Sequence, residues 1–424
     1  MSRRYTKRLE TTKRHKSQTC KVYQTKIDKS KLSISTLNHL NSLFIQGKWL
    51  YNDILENDPF EYNTKLKEVP VKVKDHYKIR RLDKISSQMK QGIRERLYFN
   101  ILSLSEKKKK GQRVGKLKFI SQLSSIPLKQ YNKTYKIIKV SNSIKIQGIK
   151  RAIKVYGLQQ IPKDCEIANA TLIKKANDFF IHITTYQEKE DKQFIGESIG
   201  IDFGCETQLT LSNGTKIRYE VPISKRLKRL DRKIMKKNRR RSNNKLKDQI
   251  KRQREYIRLT NIKNNIRNKI VSKLVNNYKN IIFQDESIHS WKSSNHGKKI
   301  QNTSIGRIIR DLKNKSHTPI LVDKFFPSTQ LCPSCNKKNK IPLSQRVYSC
   351  SCGFKEDRDL KSARCIETEG LNKYVPVERR EFKLEEMKTS ATSIFDSLES
   401  KYIRVSFYQK TSSNRRKSQE TPVL

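Results

Sequence analysis

LCPSCNKKNKIPLSQRVYSCSCGFKEDRDLKSA, residues 331–363, decides how the rest of the chain is read. Its four cysteines, Cys332, Cys335, Cys350 and Cys352, stand at C-x2-C-x14-C-x-C spacing. Two short-spaced thiol pairs match a structural four-cysteine Zn²⁺ site, in which four thiolates leave no open coordination position. Lys and Arg residues surround the knuckles, and clustered cysteines in a chain with no export signal are metal ligands before they are disulfides. Seven residues after Cys352 comes Asp359, at the start of a helical run. One stretch therefore offers a stapled ribbon and a carboxylate beside it.

Two earlier carboxylates occupy comparable places. Asp202 lies near the end of the apolar strand Ile199 to Phe203, the first of a three-strand meander, and Glu286 ends the strand IIFQDE. Strand ends and helix starts let a rigid scaffold aim side chains at one point. Any one such carboxylate is more often a solvated cap or an ion-pair partner. Three that converge repel one another unless they bind cations. Mg²⁺ suits such oxygen ligands, and a pair of ions roughly 3.5–4 Å apart can activate water and stabilise a leaving phosphodiester oxygen. The order meander Asp, later-strand Glu, final-helix Asp is the layout of an RNase H-like nuclease.

The bulk composition agrees. The 424 residues carry 94 Lys+Arg against 40 Asp+Glu, a net charge of +54. Such a surface calls for a polyanion, with nucleic acid the default and a solvated ribosomal-type protein the bland alternative. Residues 222–278 are helical and very basic, with a Ser-Asn-Asn break at 242–244 that predicts two helices. Arg239, Arg240, Arg241, Lys245, Lys251, Arg252 and Arg254 are the candidate phosphate contacts there, a sequence-independent and salt-sensitive role. No apolar run approaches the ~18 residues of a membrane span, and the basic N-terminus lacks a signal peptide's apolar segment.

Patterning divides the chain into five parts. Residues 1–20 read as a basic flexible arm. Residues 21–190 read as a β domain with a helical insertion at about 60–113, including a helix over 79–104. A first helix is expected from a Ser35 cap to about Glu56, and hairpins around Ser-Asn-Ser and Ala-Asn-Asp turns come after the insertion. The nuclease core takes 191–330 and 355–370, the ribbon 331–354, and a loosely ordered tail 371–424.

SIGIDFGCETQLTLSNG (198–214), IIFQDESIHSW (281–291) and the cysteine segment from VDKFFP onward resemble the three RuvC motifs and zinc ribbon of TnpB. TnpB is the transposon-encoded OrfB protein, kin to the miniature type V CRISPR effectors. The resemblance is strongest over about residues 196–370. It implies an RNase H-like (RuvC) core with an inserted ribbon, preceded by a β-barrel-like wedge domain with a helical recognition insertion. It further implies an Asp202–Glu286–Asp359 metal triad, a guide RNA, a flanking DNA motif, double-stranded target DNA and a cytoplasmic, nucleoid-associated prokaryotic setting. A cleavage-deficient RNA-guided repressor, a CRISPR-associated effector and a guide-independent nuclease or resolvase are the competing readings.

The chain leaves the family pattern twice. Gln284 stands where many members carry Glu; strand alternation would let Glu286, two residues on, face the same cavity while Asp285 points away. Asp359 is followed by Leu360-Lys361-Ser362-Ala363, where the usual pattern is Asp-x-Asn-Ala-Ala. Lys361 is expected either to pair with substrate phosphate or to weaken metal binding.

Overall fold

A computed structural model describes residues 3–73, 76–189, 193–236, 242–293, 297–342, 344–374 and 394–408. The chain divides into two compact units, Met1–Glu190 and Asp191–Leu424.

The first unit is built on a nearly closed, barrel-like antiparallel sheet of seven strands. In spatial order they are Ser125–Leu128, Glu166–Lys175, Asp178–Gln187, Thr19–Ile27, Ile153–Tyr156, Ser143–Ile146 and Tyr135–Ile138. Alternation along Asp178–Gln187 sends Phe179, Ile181 and Ile183 inward. The two hairpin turns fall where expected, with positive φ at Asn142 (46°) and at Ala176 and Asn177 (46° and 70°). Helices Ile34–Glu56 and Ser87–Lys109 fill the core with Leu40, Leu43, Leu50, Met89, Ile93 and Leu97.

Three expectations for this unit need correction. The arm is helical over Arg3–Ser17, in keeping with a Lys/Arg-rich run free of Gly and Pro. Its Arg14 guanidinium bonds the Glu166 carboxylate at 2.8 and 2.9 Å, and His15 stacks on Tyr186 with ring centroids 3.6 Å apart. The insertion is only partly helical: Glu68–Val73 and His76–Arg81 form a hairpin, and the helix starts at Ser87 behind a Ser86 cap. The reason is the period-two spacing of Val69, Val71 and Val73, which a strand satisfies and a helix does not. The first helix is capped by Ser33, whose hydroxyl accepts from Thr36 N at 3.2 Å, and Ser35 lies inside it.

The second unit carries a six-stranded mixed sheet, ordered Thr318–Val322, Tyr278–Gln284, Gly196–Phe203, Leu209–Leu211, Thr215–Tyr219, Ile403–Phe407. The first three run parallel; the meander from Gly196–Phe203 through Thr215–Tyr219 is antiparallel. One face packs on the long helix Asn243–Asn277 and on Ile305–Lys315 through Ile199, Ile201, Phe283, Ile270 and Ile308. The helix Arg358–Tyr374 covers the other face, where Ile366 and Leu371 meet Ile282, Ile320 and Val322. The basic segment is two helices, Lys225–Lys236 and Asn243–Asn277, and Ser242 caps the second by accepting from Lys245 N.

The tail expected to be loose from Leu371 is ordered in part. The last helix runs on to Tyr374, Phe395 and Leu398 are buried, and Ile403–Phe407 pairs with Thr215–Tyr219. An unpaired sheet edge and an apolar face drew in sequence whose composition alone read as solvated.

Candidate active site and metal centre

Backbone packing brings Asp202 and Asp359 together. Side chains two apart on a strand share a face, so Asp202 faces the way Gly200 does. A Cβ added to Gly200 would lie 2.3 Å from Ala363 O and 2.6 Å from Glu367 Cβ, so the last helix rests directly on the strand there. Asp359 stands one turn before Ala363 on that helix, and the contact sets it beside Asp202. Gly200→Val is expected to lift the helix, lower the melting temperature by several degrees and reduce any activity of the site. An unchanged melting curve would count against the contact as the device that sets the site.

Glu286 arrives by another route. The strand Tyr278–Gln284 runs parallel to Gly196–Phe203 with Phe283 opposite Ile201, so Gln284 and Asp202 leave the sheet at one level. The strand stops at Gln284, and Glu286 N donates back to Gln284 O at 2.9 Å. A turn, not strand alternation, therefore aims Glu286 at the cavity. Asp285 does point away, to an ion pair with Lys313.

Gln284 itself is buried. Its Nε2 donates to Asp323 O, Lys324 O and Phe326 O at 3.0, 3.1 and 2.8 Å. It clamps the loop between Thr318–Val322 and the ribbon, a role that spacing in the sequence does not announce.

Asp202, Glu286 and Asp359 line one cavity of about 750 Å³, with Gln284, Ser328, Lys340, Arg346 and Arg358 in its wall. Burial, then the neighbouring Asp359 and Glu286 carboxylates, push the Asp202 pKa well above the usual range, against the pull of Arg358 and Lys361. Glu286 is raised too, chiefly by burial. Asp359 Oδ1 lies 3.4 Å from Arg358 Nη2, and its Oδ2 lies 3.9 Å from Arg346 Nη1. Among the described residues, the carboxylate oxygens do not form a group lying within 4.8 Å of one another; the four cysteines do. Three half-buried carboxylates lining one cavity, two of which raise the proton affinity of Asp202, are a donor set suited to a hard cation.

The cysteine Sγ atoms pair at 3.6 Å, Cys332 with Cys352 and Cys335 with Cys350. A disulfide needs about 2.05 Å. Tetrahedral thiolates with a metal–sulfur bond of about 2.3 Å stand about 3.8 Å apart, so the cluster fits a structural metal. The Cys352 backbone hydrogen bond foremost draws the Cys350 thiol down, while its cluster partner Cys335 is held up. The hairpin Val347–Ser349 and Lys355–Asp357 carries the second pair of cysteines and leads into the final helix.

Lys361 is not among the residues that line the cavity, where a phosphate contact would stand. It is fully buried and turned toward the ribbon: its Nζ donates to Ser328 O at 2.7 Å and to Leu331 O at 2.9 Å. Along the basic helices the picture is mixed. Arg239, Arg240 and Arg241 lie outside the described residues. Lys251 lies 4.0 Å from Asp248 and Arg252 3.5 Å from Asp231, so these two serve ion pairs inside the helix pair. Arg254 is exposed and Lys245 half-exposed. Arg346 and Arg358, which sequence reasoning passed over, are the cations that face the carboxylates. Their one sequence signal is their position beside the ribbon hairpin.

No helix among the described residues is long and apolar enough to cross a membrane. Fold and site together define an α/β protein with an acidic cavity at the carboxyl ends of parallel strands, buttressed by a four-cysteine hairpin. Comparison with known proteins narrows that class. Residues 304–366 match the family model "Cas12f1-like, TNB domain". A protein of Streptomyces pristinaespiralis, provisionally named an RNA-guided DNA endonuclease, is 26% identical over 221 residues, 50% of this chain and 55% of that protein. The chain thus matches over about half the length of this curated relative. A cryo-EM structure of a Cas12f1–sgRNA–target DNA complex aligns with a TM-score of 0.37 at 13% identity, over 78% of this chain and 80% of that one. In its matched parts the chain is similar to TnpB-like and miniature Cas12-like proteins.

Proposed function

We propose that the chain is an RNA-guided DNA endonuclease of the TnpB type, with an RNase H-like (RuvC) core that hydrolyses phosphodiesters in DNA complementary to a bound guide RNA. The observation that carries this reading is the meeting of Asp202, Glu286 and Asp359, from three separate elements, in one cavity. The sheet supports it: an antiparallel meander followed by two parallel strands is the RNase H-like order, with the acidic cavity where the parallel strands end. The guide RNA and the target DNA enter from the relative's name, from the TnpB-like motifs and from the +54 net charge, which needs a polyanion.

Asp202, Glu286 and Asp359 would hold Mg²⁺, which when bound supplies an activated water and charge stabilisation at the scissile phosphate. Arg346 and Lys340 in the same wall would hold the phosphate backbone against the carboxylates. Cys332, Cys335, Cys350 and Cys352 would hold Zn²⁺, closed to substrate. In such enzymes base pairing reads sequence, and the protein reads shape plus a short flanking motif. All three carboxylates are present, which favours the nuclease over a cleavage-deficient repressor.

The protein purified with RNA expressed from its own locus is expected to retain one discrete RNA. It is then expected to cut matched double-stranded DNA in Mg²⁺. Random or absent RNA would sink the guided reading. Discrete RNA with target binding but no cutting would support the repressor instead.

A further inference from the structure

We infer that Lys361 is a positioning residue that serves as the counter-cation of the cysteine metal centre and fastens that centre to the carboxylate site. The inference rests on the zinc reading given above. Lys361 lies in the final helix, two residues after Asp359, and no part of it reaches solvent. A lysine ammonium offers three donors and no acceptor. Two are taken by Ser328 O and Leu331 O. The remaining side faces the Tyr348 ring, whose centroid is 4.1 Å from Nζ. The nearby Glu356 carboxylate is engaged instead by Arg364.

A buried cation with only neutral partners is costly unless opposite charge stands near. The cysteine cluster supplies it on the ribbon side, and the Asp202 carboxylate acts on the same ammonium from the cavity side. Four thiolates around one Zn²⁺ carry a formal charge of about −2. Lys361 is joined to that cluster on two sides. Leu331 directly precedes the ligand Cys332, and the fully buried Tyr348, whose ring faces the ammonium, stands two residues before the ligand Cys350, its hydroxyl donating to Gln330 O at 3.1 Å. On its other side the same ammonium grips Ser328, whose hydroxyl lies 3.4 Å from Gln284 Oε1. One side chain thus joins the first knuckle, the loop clamped by the strand that leads to Glu286, and the helix of Asp359. Asn, the usual residue here in the family pattern, has neither the charge nor the reach.

The test uses full-length protein, as purified and with Co²⁺ in place of zinc. Lys361→Met keeps the apolar stem without charge, and Lys361→Gln keeps one donor group. Lys361→Arg keeps the charge. Both neutral variants are expected to release metal to a chromophoric chelator about tenfold faster, the usual scale for losing a partner of a metal site's ligands. Their sulfur-to-cobalt charge-transfer band is expected to move to lower energy, because thiolate electrons are less tightly held without the cation. Lys361→Arg is expected to stay nearer wild type in both. The neutral variants should also need more Mg²⁺ for half-maximal cleavage, with target binding unchanged. Metal-replete Met and Gln variants with wild-type release rates and spectra would overturn the inference alone. Wild-type protein that binds neither zinc nor cobalt would overturn the zinc reading and this inference together.

Discussion

Asp202→Asn is expected to lower cleavage of matched DNA by at least about a thousandfold, with guide and target binding intact. Losing a carboxylate from a metal clamp removes several kcal/mol of transition-state stabilisation, and about 1.4 kcal/mol is a factor of ten. The same substitution should make the Mg²⁺-free protein more stable. Burial and the adjacent Asp359 and Glu286 hold the Asp202 pKa above its unfolded value. Ionising it in the fold therefore costs stability at neutral pH and above, and that cost disappears as pH falls below the ordinary carboxylate range. Asn carries no such cost. For a unit of this size each kcal/mol relieved is roughly 2–4 °C in Tm, and the gain should shrink on acidification. The measurements are single-turnover cleavage and thermal melts at several pH values in Mg²⁺-free buffer without chelator, so that the cysteine metal stays in place. Equal cutting by wild type and variant would remove Asp202 from the site. A loss of cutting with a lowered Tm would mean that the side chain acts by holding the fold.

The second large effect is expected at the ribbon. Cys332→Ser, or stripping the metal from wild-type protein, should leave less than one zinc per chain and unfold residues around the two knuckles. The hairpin Val347–Ser349 and Lys355–Asp357 has only two short strands, with little beyond Tyr348 and Cys332 buried in it. Such a hairpin is marginal in water by itself. Structural zinc contributes apparent binding energies of about 10–16 kcal/mol, enough to decide whether it forms. Hydrogen exchange should show loss of protection from Leu331 to Asp357, and Asp359 should lose its placement, so cleavage falls as well. The unit Met1–Glu190 has its own core and should keep its protection. Unchanged exchange across the ribbon after metal removal would show that packing alone holds it.

The parts of this protein that are legible in its sequence are those written locally. The C-x2-C-x14-C-x-C spacing brings four sulfurs together because each pair sits on a tight knuckle and one hairpin joins them. The meander is readable from apolar alternation and the Asn-Gly turn at 213–214, and the helix break is readable at Ser242, which caps the helix Asn243–Asn277. Period two and period 3.6 are properties of a few neighbouring residues, and they survive folding.

The strands from Gly196 to Val322, the metal-ligand spacing, the charge and three carboxylates at or just beyond element ends were determined by the sequence by itself. The tertiary structure decided how those ends meet. Gly200 lets the last helix touch the central strand, which puts Asp359 beside Asp202. A turn beyond Gln284 brings in Glu286, and Gln284 turns out to be a clamp. Lys361, the residue most at odds with the family pattern, donates into the ribbon, and Ile403–Phe407 closes a sheet edge from nearly two hundred residues away. Each of these depends on which surfaces are left uncovered once the elements pack. Burial of apolar area is non-directional and acts at any sequence distance, so no local pattern records its outcome.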